Sequence, residues 1–267
     1  MDDCEDGAAK NSKIIAYNIS MKILQLNVWN GRLKGALTRY LSEHDYDIIC
    51  LQEAVWSEAD DFLGHFVDTL EDLKEASGLE YDARVSNWGI DMLGGEATME
   101  QGIAILSRFP IEKVEKKLVH GEYSPKMAFN NKNGADPDQG YYALKAKLEN
   151  GLTVLTHHGY WLPNPIGDEE TVRCMREVAD MLRDESGPVL MCGDLNVIYD
   201  SPAMRELDFL TDLTHETDTK QTLMNLKFVK DVACDHVLIS DGVKWSNFEV
   251  HKELISDHAA VSVEIEI

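Results

Sequence analysis

The chain has 267 residues and is 44% hydrophobic, enough for a substantial core, and no apolar run approaches the ~18–20 residues of a membrane span. Its formal net charge is −23, from 48 acidic and 25 basic residues. That surface repels polyanions at long range and argues against tight non-specific duplex binding. The five cysteines, Cys4, Cys50, Cys174, Cys192 and Cys234, form no close-spaced framework, and Cys50 and Cys192 fall inside apolar runs. They are expected to be reduced core thiols of a cytoplasmic protein, with no CxxC pair to suggest structural zinc.

Residues 1–20 open with Asp2, Asp3, Glu5 and Asp6 and lack the basic and apolar regions of a signal peptide, so they are expected to be a poorly ordered extension. Lys22–Trp29 is strand-like and stops at the turn signal Asn30-Gly31. Leu33, Leu37, Tyr40 and Leu41 then recur at helical spacing, and Asp47–Glu53 is a second short buried strand. This β-helix-β alternation predicts strands joined by a crossover. Phe62, Phe66, Leu70 and Leu73 trace an amphipathic helix, whose many acidic residues read as a solvated face.

From Tyr81 the character is β: Tyr81–Trp88, Gly102–Leu106, Ile111–Leu118 and Tyr141–Leu148 are plausible strands, with a long loop over Gly121–Gly140. Leu152–His157 is a strong strand running into His158-Gly159, and Glu169–Arg183 carries one apolar helical face. Pro188–Asp194 reads as a buried strand that ends in Gly193-Asp194-Leu195-Asn196. Because side chains alternate along a strand, continued extension would bring Asp194 and Asn196 out side by side. A plain turn built from Gly, Asp and Asn is the alternative. Ala203–Leu207 is a short helix, Asp208–Lys230 resists reading, and Asp235–Ile239, Val243–Val250 and Ala259–Ile265 are closing strands. No repeat or linker divides residues 21–267, which are expected to be a single domain.

Several apolar runs thus end or begin at an isolated polar residue: Asn27, Glu53, the pair His157-His158, Asp194, Asn196, Asp235, and Asp257-His258. Each has a structural explanation by itself, such as a cap or a satisfied buried group; their recurrence at strand ends suggests one convergent site.

The ordered set Leu26-Asn27-Val28-Trp29, Leu51-Gln52-Glu53, His158-Gly159, Gly193-Asp194-Leu195-Asn196, Asp235-His236-Val237-Leu238 and Ser256-Asp257-His258 resembles the endonuclease/exonuclease/phosphatase superfamily. That group includes deoxyribonuclease I, apurinic endonucleases, deadenylases, tyrosyl-DNA phosphodiesterases, inositol-polyphosphate phosphatases and bacterial sphingomyelinases. Gln101–Pro110 also resembles a segment common in it. The resemblance implies an α/β fold, a four-layer αββα sandwich with two central mixed β-sheets. It implies a phosphate-ester substrate cut by in-line attack of water with Mg²⁺ (Mn²⁺ as a substitute). Glu53 would hold the ion, with the Asn27 amide oxygen beside it and Asp257 helping through water. Asp194 would activate the water and Asn196 position it or the phosphate, while His258, oriented by Asp235, and His158 would face the phosphate oxygens. The doubled His157-His158 leaves the histidine open, with His158 favoured for preceding Gly159. Thr156 stands where many relatives have Asn.

Two substrate readings follow: a phosphodiesterase acting on nucleic acid, single-stranded or at an end, and a phosphatase or phosphodiesterase on a small-molecule or lipid phosphate. Trp88, Tyr160 and Trp161 are candidate stacking aromatics for the first; the acidity and the absence of a basic residue between His158 and Arg173 favour the second. An inactive binding module would be expected to have lost ligands, and this set is complete. A monomer without a membrane span is expected.

Overall fold

The computed structural model describes residues 19–57, 68–90, 99–125, 139–224 and 232–267. Residues 1–18, the Phe62–Phe66 part of the expected second helix and most of the Gly121–Gly140 loop lie outside them.

The first sheet begins with β1 (Ser20–Asn27) and β2 (Ile48–Trp56). These are parallel, with Gln25 opposite Cys50, and helix α1 (Lys34–Glu43) joins them. β3 (Tyr81–Ile90) and β4 (Met99–Ser107) extend the sheet beyond β2. The second sheet is built from β5 (Ile111–His120), β6 (Tyr141–Leu148), β7 (Thr153–His157), β8 (Val189–Asp194), β9 (Thr211–Asp212) and β10 (Asp235–Ile239). Its order is β5-β6-β7-β8-β10-β9. The last two strands, β11 (Lys244–Val250) and β12 (Val261–Glu266), return to the first sheet, giving β11-β12-β1-β2-β4-β3. Each sheet has one parallel pair, β1/β2 or β7/β8, among antiparallel neighbours.

Alternation along the strands divides the apolar side chains into three layers of core. Ile23, Cys50, Ile103 and Ile105 face Leu144, Val154, Leu190 and Cys192 between the sheets. Their chain neighbours Leu24, Leu51 and Leu106 point outward against Leu37 and Leu41 of α1 and Leu70 and Leu73 of α2 (Thr69–Ser77). On the far side, Leu155 and Met191 pack on Met175 and Val178 of α3 (Glu169–Ala179). Burial of each such side chain contributes about 1.5–3 kcal/mol, which is why strands covered on both faces read as unbroken apolar runs. The result is an αββα sandwich, as the family resemblance implied. Asp168 caps α3 by accepting from Thr171 N at 2.9 Å, and Glu169 and Glu170 occupy its first turn. The acidic cluster after His158 is therefore a helix start.

Two expectations need correction. Glu53 does not end its strand: β2 runs on to Trp56, and the register slips between Leu51 and Ala54. Glu53 sits in that bulge at φ 52°, a conformation that costs a non-glycine residue ~1–3 kcal/mol and re-aims its side chain. Nor does extension persist to Asn196. β8 stops at Asp194, and Asn196 turns to φ 56°. The segment that resisted reading holds β9 and a one-turn helix, α4 (Leu213–Glu216).

Candidate active site

The C-terminal ends of β1, β7 and β8, the β2 bulge, the start of β10 and the turn before β12 meet at one mouth of the sandwich. Asp235 lies opposite Asp194 in the ladder, and Gln25 opposite Val261, so the antiparallel partners bring their own ends to the same place. Of the six non-glycine residues with positive φ among the described residues, Trp29, Asn30, Glu53 and Asn196 are at this mouth. Such concentration of backbone strain marks a functional site.

Asp194 is its centre. Its Oδ2 accepts from Asn27 Nδ2 at 3.0 Å and lies 3.5 Å from His158 Nε2 and 3.6 Å from His258 Nε2. Its Oδ1 accepts from the Asn196 backbone N–H at 3.1 Å. Burial works to raise this carboxyl, but the two imidazoles and these donors outweigh it and hold it below its ordinary value. On the far side of the ring, His258 Nδ1 meets Asp235 Oδ2 at 2.9 Å. Burial would push this imidazole down; the charges of Asp235 and Asp194 instead hold it well above its usual value.

The two adjacent histidines separate cleanly. His157 is fully buried, its Nδ1 pairs with the Tyr142 carbonyl at 2.9 Å, and burial pushes it down to about 4. His158, one residue beyond β7, is the one that faces Asp194.

Glu53 is held from two sides, Oε1 by Asn27 Nδ2 at 3.2 Å and Oε2 by Asn30 Nδ2 at 2.8 Å. The Asn27 oxygen does not face Glu53, contrary to expectation. It accepts the Trp29 N–H at 3.0 Å, so Asn27 presents its NH₂ to both carboxylates. Asp257 lies near Glu53; its burial and that neighbouring charge raise its pKa. Asn30 Oδ1 is buried and without a hydrogen-bond partner. Two carboxylates beside an orphaned carboxamide oxygen make a hard, all-oxygen donor set that fits Mg²⁺.

Asn196 sends Nδ2 to the Gly159 carbonyl at 2.9 Å, and Gly159 N–H returns to the Asp194 carbonyl at 2.8 Å. This tie ties the β7 and β8 ends so closely that a Cβ on Gly159 would sit 2.0 Å from the Leu195 carbonyl oxygen. A Cβ on Gly193 would sit 2.2 Å from the His157 oxygen. Both positions therefore need glycine.

Sequence reasoning missed the network beneath the site. Gln25 Nε2 reaches Asp235 Oδ1 at 3.3 Å and Gln52 Oε1 at 2.5 Å. Gln52 Nε2 donates to Gln25 Oε1 and to Thr156 Oγ1, both at 3.0 Å. Thr156, standing in the usual Asn place, thus belongs to a carboxamide bridge between the sheets. The signal was available: Gln25 is two residues from Asn27 and so shares its face. Thr222, Thr214 and the buried pair His236–Asp212 (2.7 Å) also support β10; of these only His236 stands in a family motif, with no role attached to it. Of the candidate aromatics, Trp88 is in the core, whereas Trp161 is 40% exposed.

A double sheet whose strand ends gather carboxylates, carboxamides and imidazoles around one carboxylate is the architecture of a deoxyribonuclease I-like phosphoester hydrolase. The family model for the "Endonuclease/Exonuclease/phosphatase family" matches residues 24–258, and the chain belongs to that family, whose members hydrolyse phosphate esters. No curated protein sequence matches it. Among solved structures it is similar to an endonuclease/exonuclease/phosphatase family protein of Bacteroides thetaiotaomicron, at 18% identity over 94% of this chain and 96% of that one, TM-score 0.66. It is also similar to a mannosyl-6-phosphatase of the same organism (17% identity, 92% and 99% covered, TM-score 0.64). A third is ANGEL2, described as a 2',3'-cyclic phosphatase in complex with adenosine-2',3'-vanadate (13% identity, 94% and 96% covered, TM-score 0.65). At these identities the likeness is one of fold. Among the described residues no helix is long and apolar enough to cross a membrane.

Proposed function

We propose that the chain is a Mg²⁺-dependent phosphodiesterase that cleaves its substrate by in-line attack of water. The observation that carries this reading is Asp194, an ionised carboxylate 3.5 and 3.6 Å from two imidazoles and hydrogen-bonded to Asn27. Glu53, Asp257 and the Asn30 carboxamide oxygen would hold the ion. Bound there, it would neutralise phosphate charge and stabilise the leaving oxygen. Asp194 takes the proton of the attacking water, helped by a fixed orientation: Asn27 and the Asn196 N–H leave its carboxylate little freedom to rotate.

His258, held as a cation by Asp235, offers Nε2–H to a phosphate oxygen as charge builds in the transition state. His158 approaches Asp194 from β7 and serves the same oxygens from the other side. Asn27 orders both carboxylates and is not assigned as a ligand. Asn196, with its amide committed to Gly159, sets the β8 turn and presents its remaining polar edge to water or phosphate.

A second reading, a phosphatase or phosphodiesterase on a small-molecule or lipid phosphate, is favoured by the net charge of −23, which opposes a long polyanion. A panel assay with Mg²⁺ over single- and double-stranded DNA, RNA, phosphoinositides, sphingomyelin and a sugar phosphate separates the two. Turnover confined to monoesters would overturn the phosphodiesterase reading, and no turnover on any of them would overturn both.

A further inference from the structure

One buried group at the mouth has no part in the reaction just described. Cys234 precedes Asp235, is 3% exposed, and is fixed by its backbone from two directions. Its N–H donates to Thr222 Oγ1 at 3.1 Å and its carbonyl accepts Leu195 N–H at 2.8 Å. Its Sγ lies 3.8 Å from Asp235 Oδ2. One donor atom each from Asp194, Cys234 and His258 lies within 4.8 Å of the other two, and all three residues are buried.

We propose that Asp194, Cys234 and His258 form an inhibitory site for a soft divalent cation, Zn²⁺ or Cd²⁺, separate in chemistry from the all-oxygen position at Glu53. The donor set is one carboxylate oxygen, one sulfur and one imidazole nitrogen, which selects against Mg²⁺ and for thiophilic ions. Tetrahedral zinc with bonds of about 2.0–2.3 Å places its ligand atoms roughly 3.3–3.8 Å apart. The 3.6 Å between Asp194 Oδ2 and His258 Nε2 already meets that spacing, and Cys234 Sγ lies within 4.8 Å of a donor atom of each residue. The surroundings also suit an imidazole ligand. His258 Nδ1 is committed to Asp235, which leaves Nε2 as the free donor, the carboxylate–histidine–metal arrangement that fixes ring and tautomer.

Binding releases two protons, one from the Cys234 thiol and one from His258 Nε2, and leaves a fourth position for water. It removes at once the proton acceptor and the cationic donor of the proposed mechanism. The inhibition, though not the binding, rests on the roles given above to Asp194 and His258.

A second cluster, His120, Glu170 and Cys174, meets the same spacing but supplies its own cation. Arg173 Nη2 lies 2.5 Å from Glu170 Oε1 and 3.5 Å from Cys174 Sγ, so two of the cluster's donors already face a guanidinium. It serves as the internal control.

The test is a titration of the metal-stripped full chain with Cd²⁺, following the ultraviolet thiolate-to-metal charge-transfer band. One equivalent should develop the band in the parent and in Cys174→Ser, and none should develop it in Cys234→Ser. Cys234→Ala replaces the serine variant if the latter melts early. A band that survives both Cys234 substitutions, or that is lost in Cys174→Ser instead, overturns the proposal. Zn²⁺ titrated into the Mg²⁺-supported assay should inhibit the parent at a concentration at least about tenfold lower than it inhibits Cys234→Ser, each measured against its own uninhibited rate. Equal sensitivity overturns the inhibitory role. The Cd²⁺ band needs no turnover, so it can appear even if the panel assay finds no phosphoesterase activity.

Discussion

Replacing Asp235 by Asn keeps the shape of the side chain and removes the charge beside His258. The lost contact is a 2.9 Å hydrogen bond between an imidazolium and a buried carboxylate, of a kind that contributes about 1.5–3 kcal/mol. At 1.36 kcal/mol per pH unit, the His258 pKa should fall by roughly 1–2 units. The protonated ring is the working form, so in the parent kcat/KM should decline on the alkaline side only well above the ordinary histidine range. In Asp235→Asn that limb should move toward acid by the same ~1–2 units, with about a 10–100-fold lower rate at the alkaline end of the parental plateau. Stability has a matching sign. A raised histidine pKa stabilises the fold fully below its unfolded value of about 6.5, and this stabilisation is lost as pH rises through the folded value. The Tm gap between parent and variant should therefore be widest below about pH 6.5 and narrow at higher pH. The assay is a pH series of kcat/KM on a phosphodiester with Mg²⁺, with melting curves in the same buffers. A folded variant whose alkaline limb stays in place would refute the reasoning.

Chelation by EDTA should abolish turnover and Mg²⁺ or Mn²⁺ restore it; activity indifferent to chelation would remove the metal from the mechanism. Asp194→Ala should lose roughly 10³-fold or more in kcat while keeping native circular dichroism, and a rate close to the parent's would show that the proton acceptor lies elsewhere. His158→Ala should depress kcat with little change in Tm. His157→Ala should instead lower stability by about 2–4 kcal/mol in urea titrations, because it empties a fully buried position and leaves the Tyr142 carbonyl without its partner. The reverse pattern would exchange the two roles. Gly159→Ala should destabilise by ~1–3 kcal/mol and lower kcat together, since the added methyl must push the Leu195 carbonyl and with it the Asp194 turn; an unperturbed melting curve would contradict the close approach.

The layers were legible because strands buried on both faces, such as Ile48–Leu51 and Val189–Cys192, leave a run of apolar residues no surface segment would carry. The landmarks Glu53, Asp194, Asp235 and His258 were legible because each stands at or next to the border of such a run. What escaped reading were conformations that no side-chain pattern encodes. The β2 bulge at Glu53 and the left-handed turn at Asn196 arise from how neighbouring strands seat, and the sequence shows only a carboxylate and an amide. The direction of the Asn27 carboxamide depends on the Trp29 N–H, a backbone group invisible to pattern reading. Gln25 shares the inner face with Asn27 by parity, but the pairing of Thr156 with Gln52 across the sheets is not encoded in either segment alone.

The pairing of β1 with β12 has a kinetic consequence. Segments far apart in the chain must find each other before Asn27 and His258 can share one carboxylate, and closing so long a loop is slow. During renaturation, helical signal should return early, whereas turnover should return only with the final cooperative phase. Enzymatic rate in this molecule is thereby a gauge of complete assembly, and a partly folded chain should be silent.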